Sequence, residues 1–190
     1  MRQRKVVGLY LATLLSFAVL YGAYMTFIPL FLADRFSSSA LEIGPIMTVG
    51  SLTTALTASR IGKLSGFLPA ERMLPGAFVF FAASFVAVPF LPGHWWATIP
   101  VALFGIGQGL NYPVVLTLLA ELAPPQHRAV FMSVNGMVIR TGQALGPLLM
   151  GGVFFWGGMG SVFFSATGIC VVVFLILPRF IGTGSAGPPR

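Results

Sequence analysis

Six apolar runs, separated by charged residues and turn-formers, dominate this chain. They cover residues 6–32, 43–61, 73–91, 95–121, 129–155 and 161–180. A helix needs about 20 apolar residues to cross the ~30 Å hydrocarbon core of a bilayer, and each run is long enough. Only helices and closed barrels satisfy backbone polar groups in lipid. Barrel strands of about 10 residues with alternating polarity do not match runs this long and this uniform. The expected fold is an all-α membrane protein. Six transmembrane helices occupy residues 1–181, and a flexible cytoplasmic tail rich in Gly, Pro and Ser follows over 182–190. The second run, rich in Gly, Ser and Thr, carries the weakest span signal.

Charge supplies the orientation. Only 8% of residues are charged and mean hydropathy is +0.91, where soluble domains average about 25% charged. The net charge of +7 does not mark a nucleic-acid partner, because the basic residues punctuate apolar runs instead of clustering on a soluble face. The basic start Met1-Arg2-Gln3-Arg4-Lys5 precedes an uncharged stretch from Val6 to Ala33. That stretch exceeds the ~7–15 residues of a signal-peptide core, so it reads as the first span. With the N-terminus inside, the inner segments hold Arg2, Arg4, Lys5, Arg60, Lys63, Arg72, Arg128, Arg179 and Arg190. The outer loops hold only Arg35, a strong positive-inside asymmetry. The expected location is the plasma (inner) membrane, with both termini cytoplasmic. His94, Trp95 and Trp96 then fall at the outer interface.

Arg140 belongs to neither side. It lies roughly 16 Å into the fifth run, close to the bilayer midplane. A charge there costs at least ~2.5–3.5 kcal/mol, so it must face protein or a water-filled cavity. Asp34, Glu42, Glu71 and Glu121 all sit at span ends or in loops, and neither histidine is mid-membrane. The counter-charge of Arg140 is therefore a solute, a partner or water. Proton coupling would need a carrier group from a partner. Glu121 is expected to pair with Arg128 at the interface. With no His/Asp partner set near a membrane serine, no metal cluster and no phosphate loop, the sequence reads as a non-enzyme without cofactor or metal. The single cysteine, Cys170, reads as a buried or lipid-facing hydrophobe.

Two runs resemble each other. Leu20-Tyr21-Gly22-Ala23-Tyr24-Met25-Thr26-Phe27-Ile28-Pro29 and Phe104-Gly105-Ile106-Gly107-Gln108-Gly109-Leu110-Asn111-Tyr112-Pro113 both pass from glycine through polar or aromatic residues to proline. Gly/Pro-interrupted segments at corresponding positions of two repeats point to a transporter site. The two three-helix units would be inverted.

With Gly62-Lys63-Leu64-Ser65-Gly66-Phe67-Leu68-Pro69-Ala70-Glu71-Arg72, the stretch from Phe104 to Pro113, and that from Arg140 to Gly152, the chain resembles the major facilitator superfamily of secondary transporters. The resemblance covers about residues 8–180 and matches one six-helix half. Gly66 stands where the family's amino-terminal half usually has an aspartate, and Gly105 where it often has an arginine. Both features are similar to carboxy-terminal halves. Three residues, Leu148-Leu149-Met150, separate Gly-Pro from Gly-Gly where the antiporter pattern has two.

The resemblance implies that the first and fourth helices line a central cavity. Tyr21 and Tyr24 share a face of the first, and Gln108, Asn111 and Tyr112 share a face of the fourth. These five residues and Arg140 are the candidate substrate-binding groups; the alternative for the amides is helix–helix glue. Gly105/Gly109 and Gly142/Gly146 are GxxxG pairs that permit close packing, the other reading being a hinge helped by Pro113 and Pro147. The small face Gly50, Ser51, Thr54, Thr57 and Ala58 is expected to pack on a second six-helix bundle, either another copy or a separate amino-terminal half. The function implied is transport of an unknown small solute across the lipid bilayer by alternating access. The alternative is a non-transporting membrane subunit or a truncated transporter fragment.

Overall fold

A computed structural model of the chain describes residues 2–182, the side chain of Arg2 excepted. The expected flexible tail lies, beyond Gly182, outside the described residues. All regular structure among the described residues is helical, with no strand. The first rod runs through α1 (Arg2–Val19), a π-helical segment (Leu20–Phe27) and α2 (Ile28–Phe36). It is followed by α3 (Ala40–Ser59), the short α4 (Ile61–Leu64), α5 (Ala70–Ala87), α6 (Thr98–Leu122) and α7 (Arg128–Ile181). Four helical stretches are long and apolar enough to cross a membrane: Gln3–Phe36, Ala70–Phe90, His94–Leu122 and Pro125–Ile181. α3 is not among them; its Gly, Ser and Thr content dilutes the apolar signal.

The helix ends follow local chemistry. Ser37 closes α2 in the left-handed region (φ 53°, ψ 33°), with its backbone N–H on the Leu32 carbonyl. Ser39 opens α3, where its backbone N–H and hydroxyl both donate to Glu42 Oε2, at 2.8 and 2.9 Å. Pro124 and Pro125 break the chain after α6, since proline cannot continue an intrahelical ladder. Within α7, Gly158 has φ 74° and ψ −175°, a conformation that only glycine adopts without strain. α7 is thus two helices meeting at Gly158, with arms at 128–157 and 159–181.

Lipid tails are as apolar as leucine, so close packing must hold the helices together. The core is an aromatic stack centred on Phe104 of α6. Its ring lies 4.0 Å from Tyr24, 4.6 Å from Phe81 and 5.5 Å from Phe85, joining the first rod, α5 and α6. Phe104, Phe81 and Phe85 are all fully or almost fully buried. Elsewhere glycine removes side chains where backbones meet. A Cβ on Gly109 would lie 2.6 Å from the Thr54 carbonyl oxygen, and one on Gly142 the same distance from that of Leu14. Gly105 likewise abuts Thr53 and the Gly50 carbonyl, and Gly146 abuts Ala18. Both GxxxG pairs are therefore packing notches, the first for α3 and the second for the first rod.

These contacts correct the expectation for α3. Gly50, Thr54, Thr57 and Ala58 face the glycines of α6 within the same chain. The notch on α6 takes the small residues because only they allow that approach. What α3 leaves bare is larger and more apolar: Leu41, Leu52 and Leu56 are exposed, with Ser51 beside them.

Candidate functional site

The π-helical segment sets the geometry of the candidate site. Pro29 has no N–H for the Met25 carbonyl, and its ring would clash there in a regular helix. The preceding turn widens: the Ile28 N–H bonds to Ala23, and the Thr26 hydroxyl donates to the Tyr21 carbonyl at 2.7 Å. Each bond spans five residues, not four. This wider turn changes the angle between Tyr21 and Tyr24, and the two do not share a face. Tyr21 is exposed, whereas Tyr24 is 4% exposed, stacked on Phe104 and set against Gly50. The corresponding stretch of α6 stays α-helical through Pro113, so the two similar runs differ in local geometry. Opposite the widened turn, a Cβ on Gly22 would lie 2.6 Å from the Gly146 carbonyl oxygen. The π segment is pressed directly onto the first arm of α7.

Tyr21 and Tyr112 are brought together through Phe17. The Phe17 ring lies 6.5 Å from Tyr21, stacked, and 5.9 Å from Tyr112, edge-on. Tyr112 is 40% exposed. Asn111 is its neighbour in sequence but is buried, at 1% exposure, so Gln108, Asn111 and Tyr112 do not form one open face. Consecutive residues on a helix differ by about 100° in direction, and packing takes the Asn111 side while Tyr112 stays bare. Gln108 is half-buried between them. The Gln108 Oε1 and Asn111 Oδ1 atoms are buried and lack a hydrogen-bond partner. Buried polar atoms normally find one.

Arg140 is exposed, on the bare side of the first arm of α7. Twelve residues separate it from Arg128, or ~18 Å of helix. The buried side of that arm, Asn135, Gly142, Gly146 and Met150, packs inward. The bare side carries Met137, Arg140, Thr141 and Leu148. Among the described residues Arg140 has no ion pair; the single pair is His94 Nε2 with Glu42 Oε1, at 3.7 Å. That pair ties the start of α3 to the turn before α6, beside the exposed Trp95 and Trp96. Glu121 does not pair with Arg128. It lines a pocket with Lys5 and Glu71 instead.

A model of the Major Facilitator Superfamily matches residues 9–190. The chain belongs to that superfamily. The multidrug resistance protein MdtG of Escherichia fergusonii is 27% identical over 177 residues, which cover 92% of this chain and 43% of that protein. MdtG of Salmonella arizonae is 27% identical over 169 residues, 87% of this chain and 42% of that protein. The chain thus spans less than half the length of the curated relatives it matches.

Three residues of this superfamily member escaped the sequence reading. Phe17 bridges the two exposed tyrosines, but a phenylalanine in an apolar run carries no signal of its own. Phe104, centre of the aromatic stack, is hidden in the same way. Asn135 could have been found: it is an amide inside the fifth run, 2% exposed, with a buried and unpartnered Oδ1. One turn before it, the Phe131 carbonyl accepts the Tyr10 hydroxyl at 3.1 Å.

Proposed function

We propose that this chain is one six-span half of a facilitator-type transporter, moving a small solute by alternating access with a second bundle. In this reading α3 is a span and α7 contributes two, making two inverted three-helix repeats with both termini cytoplasmic. The half resembles the carboxy-terminal one. The observation that carries the proposal is Arg140: an exposed, unpaired guanidinium mid-helix in an apolar arm. A lipid-facing position there is too costly, so a water-filled cavity or a partner must cover it.

The solute site is proposed on the bare side, from Arg140, Tyr21, Tyr112 and the accessible part of Gln108. Met137 and Thr141 share the bare side of the arm with the arginine, a setting suited to an amphipathic solute bearing an anionic or polar group. The name of the relatives, multidrug resistance protein, brings drug-like solutes within this class. Tyr24 and Asn111 are assigned to support, holding the first rod and α6 in place. Flux of a fluorescent amphipathic dye into proteoliposomes tests the site. Arg140→Ala is expected to lower flux at least tenfold with folding intact; unchanged flux sinks the role of Arg140.

The second reading is a membrane subunit that folds and binds a neighbour but moves nothing. The burial of Asn111 and Tyr24 favours it, because fewer polar groups remain to meet a solute. A defined dimer with flux supports the transporter; a bound neighbour without flux supports the subunit.

A further inference from the structure

Two arginines stand over an apolar groove where the start of α1 meets the end of α7. Arg4 and Arg179 are both exposed, and with Ile176 and Phe180 they line a cavity of about 410 Å³. Ile176 and Phe180 also line a second cavity, about 210 Å³, which follows the groove past Leu11, Leu15 and Val172. The two cavities therefore adjoin, one cationic and one apolar. No acidic side chain lines either. Lys5, on the next position of α1, lines a different pocket together with Glu71 and Glu121. The neighbouring cation thus has carboxylates nearby, while Arg4 and Arg179 form no ion pair among the described residues. Gly8 makes the junction possible, since a Cβ there would lie 2.6 Å from that of Phe180. From the arginines the groove descends ~10 Å along α7, to Val172, and ~16 Å along α1, to Leu15.

We propose that this is a binding site for one anionic phospholipid. Its phosphodiester sits between Arg4 and Arg179, and an acyl chain follows the groove between α1 and the second arm of α7. A guanidinium presents a planar fork of donors that matches phosphate geometry. Free phosphate would use the arginines but not the apolar groove, and a neutral lipid the groove but not the arginines. Basic clusters at the end of a helix bundle meet the anionic inner leaflet, which is where this end of the chain would lie.

The test does not depend on transport. The purified full chain in detergent is titrated with phosphatidylglycerol, phosphatidylcholine or inorganic phosphate, and retained lipid is read by native mass spectrometry. One phosphatidylglycerol should be retained with about tenfold preference over phosphatidylcholine, in keeping with two cations facing an anionic headgroup. Inorganic phosphate at equal concentration should not displace it. The R4Q/R179Q double variant should lose the preference, and Val172→Trp, which fills the groove but keeps both arginines, should lose retention. Equal retention of the two lipids by the unaltered chain overturns the proposal, and so does full displacement by inorganic phosphate. Both comparisons need no variant, so the proposal stays testable even if the double variant does not fold. A folded double variant with unchanged preference also overturns it, and unchanged retention by Val172→Trp removes the acyl-chain groove.

Discussion

At the residue scale, two side chains carry effects that can be measured directly. Glu42 accepts two hydrogen bonds from Ser39, and these, ahead of the nearby His94, hold its pKa below the ordinary 4.5. A lowered folded value means that the carboxylate contributes its full stabilisation above pH 4.5 and loses it as pH falls through the lowered value. Amide exchange in the first turn of α3 should therefore accelerate under acid, and Glu42→Gln should remove that pH dependence. An exchange rate that is flat across the acid range would contradict the cap. Phe104 is the other case, touching Tyr24, Phe81 and Phe85 at once. Phe104→Ala should destabilise the bundle by about 3–5 kcal/mol in reversible unfolding from mixed micelles, and Phe90→Ala, an exposed position, by much less.

At the element scale, helix approach is governed by which glycines have a neighbour. Gly142 has the Leu14 carbonyl 2.6 Å from where a Cβ would stand, whereas Gly168, on the second arm of α7, has nothing within 4 Å. Gly142→Val should thus force the first rod and α7 apart and cost about 1–3 kcal/mol, the usual toll of overpacking. Gly168→Ala should stabilise by up to ~1 kcal/mol, because alanine is the better helix former. Unfolding of the two variants in one detergent system separates packing from propensity. The π segment acts at the same scale. One widened turn before Pro29 sends Tyr24 into the aromatic stack and leaves Tyr21 on the bare side, near Tyr112.

At the scale of the whole molecule, the bare faces of α3 and of the first arm of α7 are what a second bundle would cover. Leu52 and Leu148 are 58% and 71% exposed, and the one native cysteine, Cys170, is fully buried. In a Cys170→Ala background, Leu52→Cys and Leu148→Cys should crosslink to a neighbouring chain in the native membrane. Leu175→Cys, on the second arm of α7, should not, though it is 59% exposed. Absence of crosslinks at both Leu52 and Leu148 would remove the second bundle from the proposed mechanism.

Helical class and superfamily were legible in the residues themselves. Run length and the local motif pattern act along the chain, so one dimension suffices to read them. The GxxxG pairs were also legible as packing surfaces, because a missing side chain has the same consequence in any helical context. What each notch receives was not. The small residues of α3 pack on α6 in the same chain, and only the folded arrangement brings Gly50 against Gly105. The division of the candidate site was hidden for a related reason. Regular helical spacing puts Tyr21 near Tyr24, and Gln108 near both Asn111 and Tyr112. The widened turn before Pro29 separates the tyrosines, and packing against neighbouring helices buries Asn111 while Tyr112 stays exposed. Sequence determined which groups this protein carries into the membrane; tertiary packing decided which of them remain open, since exposure depends on helices distant in the chain.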